Sequence, residues 1–142
     1  MGAVLSVLAV PTSLCFASAE GETSTSIIGD VYVGDFPDAP RFNVVRRTTT
    51  SGPKSTYLET FKDAQGTVVV FSAASHLRGQ LISARQDQKQ LGESGAAEII
   101  GGVAQFTFTT ADKAKKGIQD VAGSWISMQS VPEVIVENWD TL

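Results

Sequence analysis

Residues 56–72, TYLETFKDAQGTVVVFS, decide how this chain is expected to fold. Two stretches rich in β-branched and aromatic residues, 56–62 (TYLETFK) and 67–72 (TVVVFS), flank Asp63-Ala64-Gln65-Gly66. A four-residue connection that opens on Asp and closes on Gly suits a type I turn finished by a glycine in the left-handed region, which predicts a β-hairpin. The second strand does not alternate: Val68, Val69, Val70 and Phe71 are consecutive and apolar. Such a run predicts a strand covered on both faces, and therefore helices on at least one side of the sheet. The expected fold class is α+β, a mainly antiparallel sheet covered by helices in an α/β/α sandwich, as a single domain over residues 27–142.

Upstream of the hairpin, residues 27–33 (IIGDVYV) and 42–50 (FNVVRRTTT) read as strands, the second ending at Ser51-Gly52-Pro53. Between them GDFPDAP places two prolines in four residues, a turn that lacks ladder donors at Pro37 and Pro40. Residues 20–26 (EGETSTS) are small and polar and read as a flexible leader. Downstream, residues 73–92 have two readings. Leu77, Leu81, Ala84, Gln88 and Leu91 form a helical stripe, whereas Leu77-Arg78-Gly79 is a turn that leaves 80–86 (QLISARQ) as a strand. Gly79 inside a helix costs about 1 kcal/mol, which favours the strand. The glycine-rich GESGAAEIIGG reads as a loop with a short helix at 96–100, and 103–110 (VAQFTFTT) alternates cleanly as a strand. Residues 112–124 read as a helix capped by Thr110, with Ala114, Ile118, Val121 and Ala122 on its apolar face. Residues 125–128 are expected to close the sheet.

The first nineteen residues, MGAVLSVLAVPTSLCFASA, carry no charge and end on Ala17-Ser18-Ala19 ahead of Glu20. An apolar run closed by a small-x-small triplet is the layout of a signal peptide. The rival reading is a retained apolar helix anchoring the chain in a membrane. Cys15 follows Leu14, where lipid attachment needs a small residue, so a lipoprotein signal is excluded. Removal of the leader leaves about 123 residues without cysteine, enough for one core held by packing alone. The expected address is outside the cytosol: thylakoid lumen, periplasm or extracellular space.

The net charge of −4 argues against nucleic acid as partner. All eleven Lys and Arg lie between Arg41 and Lys116, and both ends of the chain are acidic. Arg46-Arg47 and the Lys113-Lys115-Lys116 cluster are candidates for meeting an acidic protein surface, and Trp139, beside Glu137 and Asp140, is a candidate contact residue.

Catalytic chemistry has little to stand on. His76 is the sole histidine, and without a second His or a free Cys partner it completes no zinc shell. A solvent-facing loop position is expected for it. Ser72, Ser75 and Ser83 lie near it in sequence, but none sits in a G-x-S-x-G elbow. Asp30, Asp35 and Asp38 offer oxygen ligands for calcium at a spacing that fits no EF-hand. No cofactor is expected.

From residue 58 onward the order of elements resembles the PsbP family, extrinsic proteins of the photosynthetic thylakoid lumen. The pieces are Leu58-Glu59-Thr60, Gln65-Gly66, VVVFSAAS, Gln80-Leu81-Ile82-Ser83-Ala84, FTFTT, DKAKKGIQDVAG and Trp125-Ile126, while residues 88–102 have no counterpart. The Ala17-Ser18-Ala19 triplet is similar to the processing site of those precursors. The resemblance implies a sheet between helices and a role in stabilising or assembling a photosystem; it carries over no metal or contact residue. The expected function is a non-enzymatic exported protein that docks on a membrane protein complex and is peripheral to the membrane once its leader is gone. Two alternatives stand beside it: a membrane-anchored subunit with an extracytoplasmic domain, and a soluble carrier that holds a small apolar ligand among Phe71, Phe106 and Phe108. A hydrolase built on His76 and a neighbouring serine is a further reading.

Overall fold

The computed structural model of the chain describes residues 7–8, 16–18, 21–32, 40–125 and 127. They form one antiparallel sheet. Two short strands, β1 (Val7–Leu8) and β2 (Phe16–Ser18), pair with the outer edge of β3 (Glu22–Val31). From β3 the chain runs up and down through β4 (Phe42–Ser51), β5 (Lys54–Lys62), β6 (Val68–Leu77), β7 (Gln80–Gln88), β8 (Glu93–Ile100), β9 (Val103–Thr109) and β10 (Ala114–Asp120). Each of these strands pairs with the one before it.

The expectation of an α+β sandwich is overturned, because no helix occurs among the described residues. Its two sources have separate physical causes. The apolar run Val68–Phe71 is not a strand under helices on both sides. Lys62 pairs with Val68 and Phe61 with Val70, so Val69 is the extra residue of a β-bulge, and its carbonyl accepts the Lys89 N–H at 2.9 Å. A bulge resets the side-chain alternation, which is why consecutive apolar residues occur without a second covering layer.

The helix expected at 112–124 is instead a hairpin turn followed by β10. The Thr110 hydroxyl does accept the Lys113 N–H, as a helix cap would, at 3.2 Å. The Thr110 N–H, however, donates to the Lys113 carbonyl at 2.8 Å and turns the chain back on itself. Seven residues then pair with β9, from Ala114 opposite Thr109 to Asp120 opposite Val103. Ile118, assigned to a buried helical face, is 78 % exposed. The open edge of a cleanly alternating β9 outweighs a weak helical stripe.

The short helix at 96–100 is likewise strand β8, and β3 starts at Glu22, inside the stretch read as a flexible leader. The closing strand expected at 125–128 falls partly outside the described residues; Trp125 and Ser127 lie in irregular chain. Other expectations hold. The hairpin at 63–66 is present, with the Asp63 carboxylate accepting the Gln65 and Thr67 N–H groups at 3.0 and 2.8 Å and Gly66 at φ 81°. Arg78 and Gly79, at φ 52° and 76°, make the two-residue turn between β6 and β7, so the strand reading of 80–86 is the right one.

Register fixes which side chains share a face. One row across the sheet reads Ile27, Arg46, Glu59, Ser72, Gln86, Gly95, Phe108 and Lys115. The next row on that face reads Thr25, Thr48, Tyr57, Ala74, Ala84, Ala97, Phe106 and Gly117. The core sits here. Tyr57, Ala74 and Leu81 are buried together, with Ala84, Ile99 and Trp125 packed against them.

Candidate functional site

Three alanines and a glycine on neighbouring strands leave the middle of the Tyr57 face low. Ala74, Ala84 and Ala97 lie side by side, Gly95 stands on the next row, and the tall rings of Tyr57 and of Phe106 and Phe108 rise on either side. After β10 the chain returns over this face. Residues 121–125 and 127 form a strap hydrogen-bonded to the sheet at several points, beginning with Val121, whose N–H donates to the Gly102 carbonyl at 2.8 Å. Leu81 N–H donates to the Trp125 carbonyl at 2.9 Å. Gln80 Nε2 donates to the Ser124 hydroxyl at 3.0 Å, and Ser127 N–H donates to His76 Nε2 at 3.3 Å. The Trp125 ring lies 6.0 Å from that of Phe106, tilted by 32°. A hollow of about 500 Å³ remains beside the strap, lined by Leu81, Ala84, Gly95, Phe106, Phe108 and Ser127 among others. Its volume is in the range that takes a small ligand.

Polar groups border the hollow along the neighbouring row. Arg46 holds Glu59 through Nε at 2.8 Å and a terminal nitrogen at 2.7 Å, both on Oε2, with side chains 22 % and 12 % exposed. The pair neutralises itself, so this face offers a ligand no net charge from these two groups. Ser72, buried, and Gln86, exposed, continue the row toward Gly95.

His76 departs most from its expectation. It is no loop residue but the penultimate position of β6, 2 % exposed, with the Tyr57 ring edge-on at 5.1 Å. Because Nε2 accepts a backbone N–H, the ring is neutral with its proton on Nδ1. Burial pushes its pKa below the ordinary value.

The serines named with it do not form a hydrolytic pair. Ser75 and Ser83 face each other on the opposite side of the sheet. Ser72 shares the face of His76 but lies four residues along the strand, about 13 Å away at the rise of a β-strand.

The residues proposed for a partner surface are scattered. Arg46 is engaged with Glu59, and Arg47 is exposed on the opposite face. Lys113 is in the β9–β10 turn, and Lys115 and Lys116 point to opposite sides of β10, all three exposed. Trp139 lies outside the described residues. Of the three phenylalanines proposed as a ligand lining, Phe106 and Phe108 border the hollow, whereas Phe71, opposite Thr60 and Asp87, is on the other face. Asp30 accepts the Asn43 side-chain N–H at 3.1 Å; Asp35 and Asp38 lie outside the described residues, and no group of metal ligands occurs among those described.

No chemistry-bearing motif marks this site. No protein-family model, curated protein or solved structure matches the chain.

Proposed function

We propose that this protein is an exported, non-enzymatic binding module that carries a small apolar ligand in the hollow between the sheet and its strap. The observation that carries the reading is the trough of Ala74, Ala84, Gly95 and Ala97, walled by aromatic rings and bridged by residues 121–125 and 127. Small side chains at a covered position leave space that close packing ordinarily fills, and space of this size with few polar groups suits an apolar guest.

A neutral fluorescent probe, N-phenyl-1-naphthylamine, tests it by titration. Saturable binding is expected, weakened at least tenfold in Gly95→Leu, whose new side chain enters the hollow. An added Cβ at Gly95 meets nothing within 4 Å, so the new side chain leaves the backbone without a clash, and circular dichroism checks that the variant is folded. Absence of saturable binding, or equal affinity in the variant, sinks the reading.

One observation favours docking on a membrane protein complex as a second reading. All seven residues of β10 are exposed, and Lys115, Lys116 and the preceding Lys113 stand along that edge. An acidic partner surface complements them, in the photosystem form that the PsbP resemblance implies or on another exported complex. Release of the native protein from membranes by salt supports this reading; retention in strong salt with release by detergent supports an anchored subunit.

A further inference from the structure

The strap is tied to the sheet through a titratable acceptor. Three of its hydrogen bonds, Val121 to Gly102, Leu81 to Trp125 and Gln80 to Ser124, join groups that do not titrate near neutral pH. Another ends on His76 Nε2, deep under the strap. A neutral imidazole accepts at one nitrogen; an imidazolium accepts at neither.

We propose that His76 is an acid-sensitive latch: protonation removes an acceptor that ties Ser127 to the sheet, and the strap opens more readily over the hollow. The proposal rests on the hollow being a ligand site and assigns its regulation, uptake near neutral pH and release in acid. The groups around the ring fit this role. From β5, Tyr57 meets the ring edge-on and Ser55 lies opposite it; from β7, Leu81 lies opposite it. The strap's described residues, Val121, Ala122, Gly123, Ser124, Trp125 and Ser127, carry no titratable side chain. Glu59 and Arg46, charged groups on this face, are paired with each other two positions beyond Tyr57, and Arg78, two residues after His76, is exposed in the β6–β7 turn. Arg85 and Asp87 of β7 pair with each other on the opposite face. Burial, which favours the neutral ring, keeps the latch closed until the solution is acidic.

Amide hydrogen exchange of the full-length protein tests the latch without any ligand. After correction for intrinsic exchange, protection of the Ser127 and Leu81 amides is expected to fall about tenfold between pH 7.5 and pH 5, the worth of one hydrogen bond. Amides in the middle of β5 and β6 keep theirs. His76→Gln retains a side-chain acceptor that does not titrate, and its protection stays within twofold across the range. Unchanged protection in the native protein, loss spread over all strands, or a parallel loss in His76→Gln overturns the proposal. N-phenyl-1-naphthylamine added at both pH values separates the two readings. Probe released in acid supports both. If no probe binds at either pH, the carrier reading fails and the exchange data alone judge the latch.

Discussion

Replacing Glu59 by Leu while Arg46 remains leaves a guanidinium on a largely covered face. An exposed pair is worth about 0–1 kcal/mol, and breaking a buried one costs about 3–5 kcal/mol. With the Arg46 and Glu59 side chains 22 % and 12 % exposed, the pair falls between these limits, so a loss of about 2 kcal/mol is expected. Arg46→Met alone strands the carboxylate and costs a similar amount. The double variant, Arg46→Met with Glu59→Leu, leaves neither charge without its partner and extends the apolar row from Ile27, so it lies within about 1 kcal/mol of the native protein. Urea unfolding followed by circular dichroism measures this. With a slope of about 2 kcal/mol per molar, each single variant lowers the midpoint by about 1 M, and the double variant recovers most of that. Single variants shifted by less than about 0.2 M would falsify the reasoning, since the pair then behaves as a solvated surface bridge. A double variant worse than either single one refutes it in a different way, by showing that the charges order this part of the sheet.

Three further outcomes are expected. The protein loses stability as pH falls below about 6.5: the unfolded chain then binds a proton at His76 that the folded one resists until its lower pKa is reached, and above that window the residue has no effect. Urea midpoints at several pH values, compared with His76→Gln, check this; an equal acid slope in the variant removes His76 as the cause. Asp63→Ala removes the carboxylate that accepts two backbone N–H groups in the β5–β6 turn and costs about 1 kcal/mol by thermal unfolding. Gly66→Ala, at φ 81°, costs about 1 kcal/mol, whereas Gly95→Ala, outside the left-handed region, costs less; reversal of that order contradicts the turn geometry.

What could be read from the residues was local. Asp63 and Gly66 announce their turn because one carboxylate and one left-handed glycine are enough to make it. Leu77-Arg78-Gly79 and the alternation of residues 103–110 are equally self-contained. The bulge at Val69 was hidden, because it depends on the register of β5 against β6 and not on either strand alone. Strand β8 reads in the sequence as a loop with a short helix because Gly95, Ala96 and Ala97 carry no strong strand preference; their pairing with β7 and β9 supplies it. The cap-like Thr110 bond occurs in a helix start and in a tight turn alike, so it could not separate them. His76 reads in the sequence as a loop residue because nothing before folding shows that a later strap, 51 residues on, covers it. The trough had one signal, the three alanines and Gly95, and that signal appears only when four strands are laid side by side.

From β3 to β10, no strand needs to reach past its immediate predecessor in the chain to find a neighbour. The loops to be closed are therefore short throughout, and the entropy of bringing distant segments together, which slows most sheet proteins, is small here. Assembly can proceed hairpin by hairpin as the polypeptide emerges. The strap follows the sheet: its anchors on β6 and β7 are complete before residues 121–125 and 127 exist to use them, so the hollow is built open and covered afterwards.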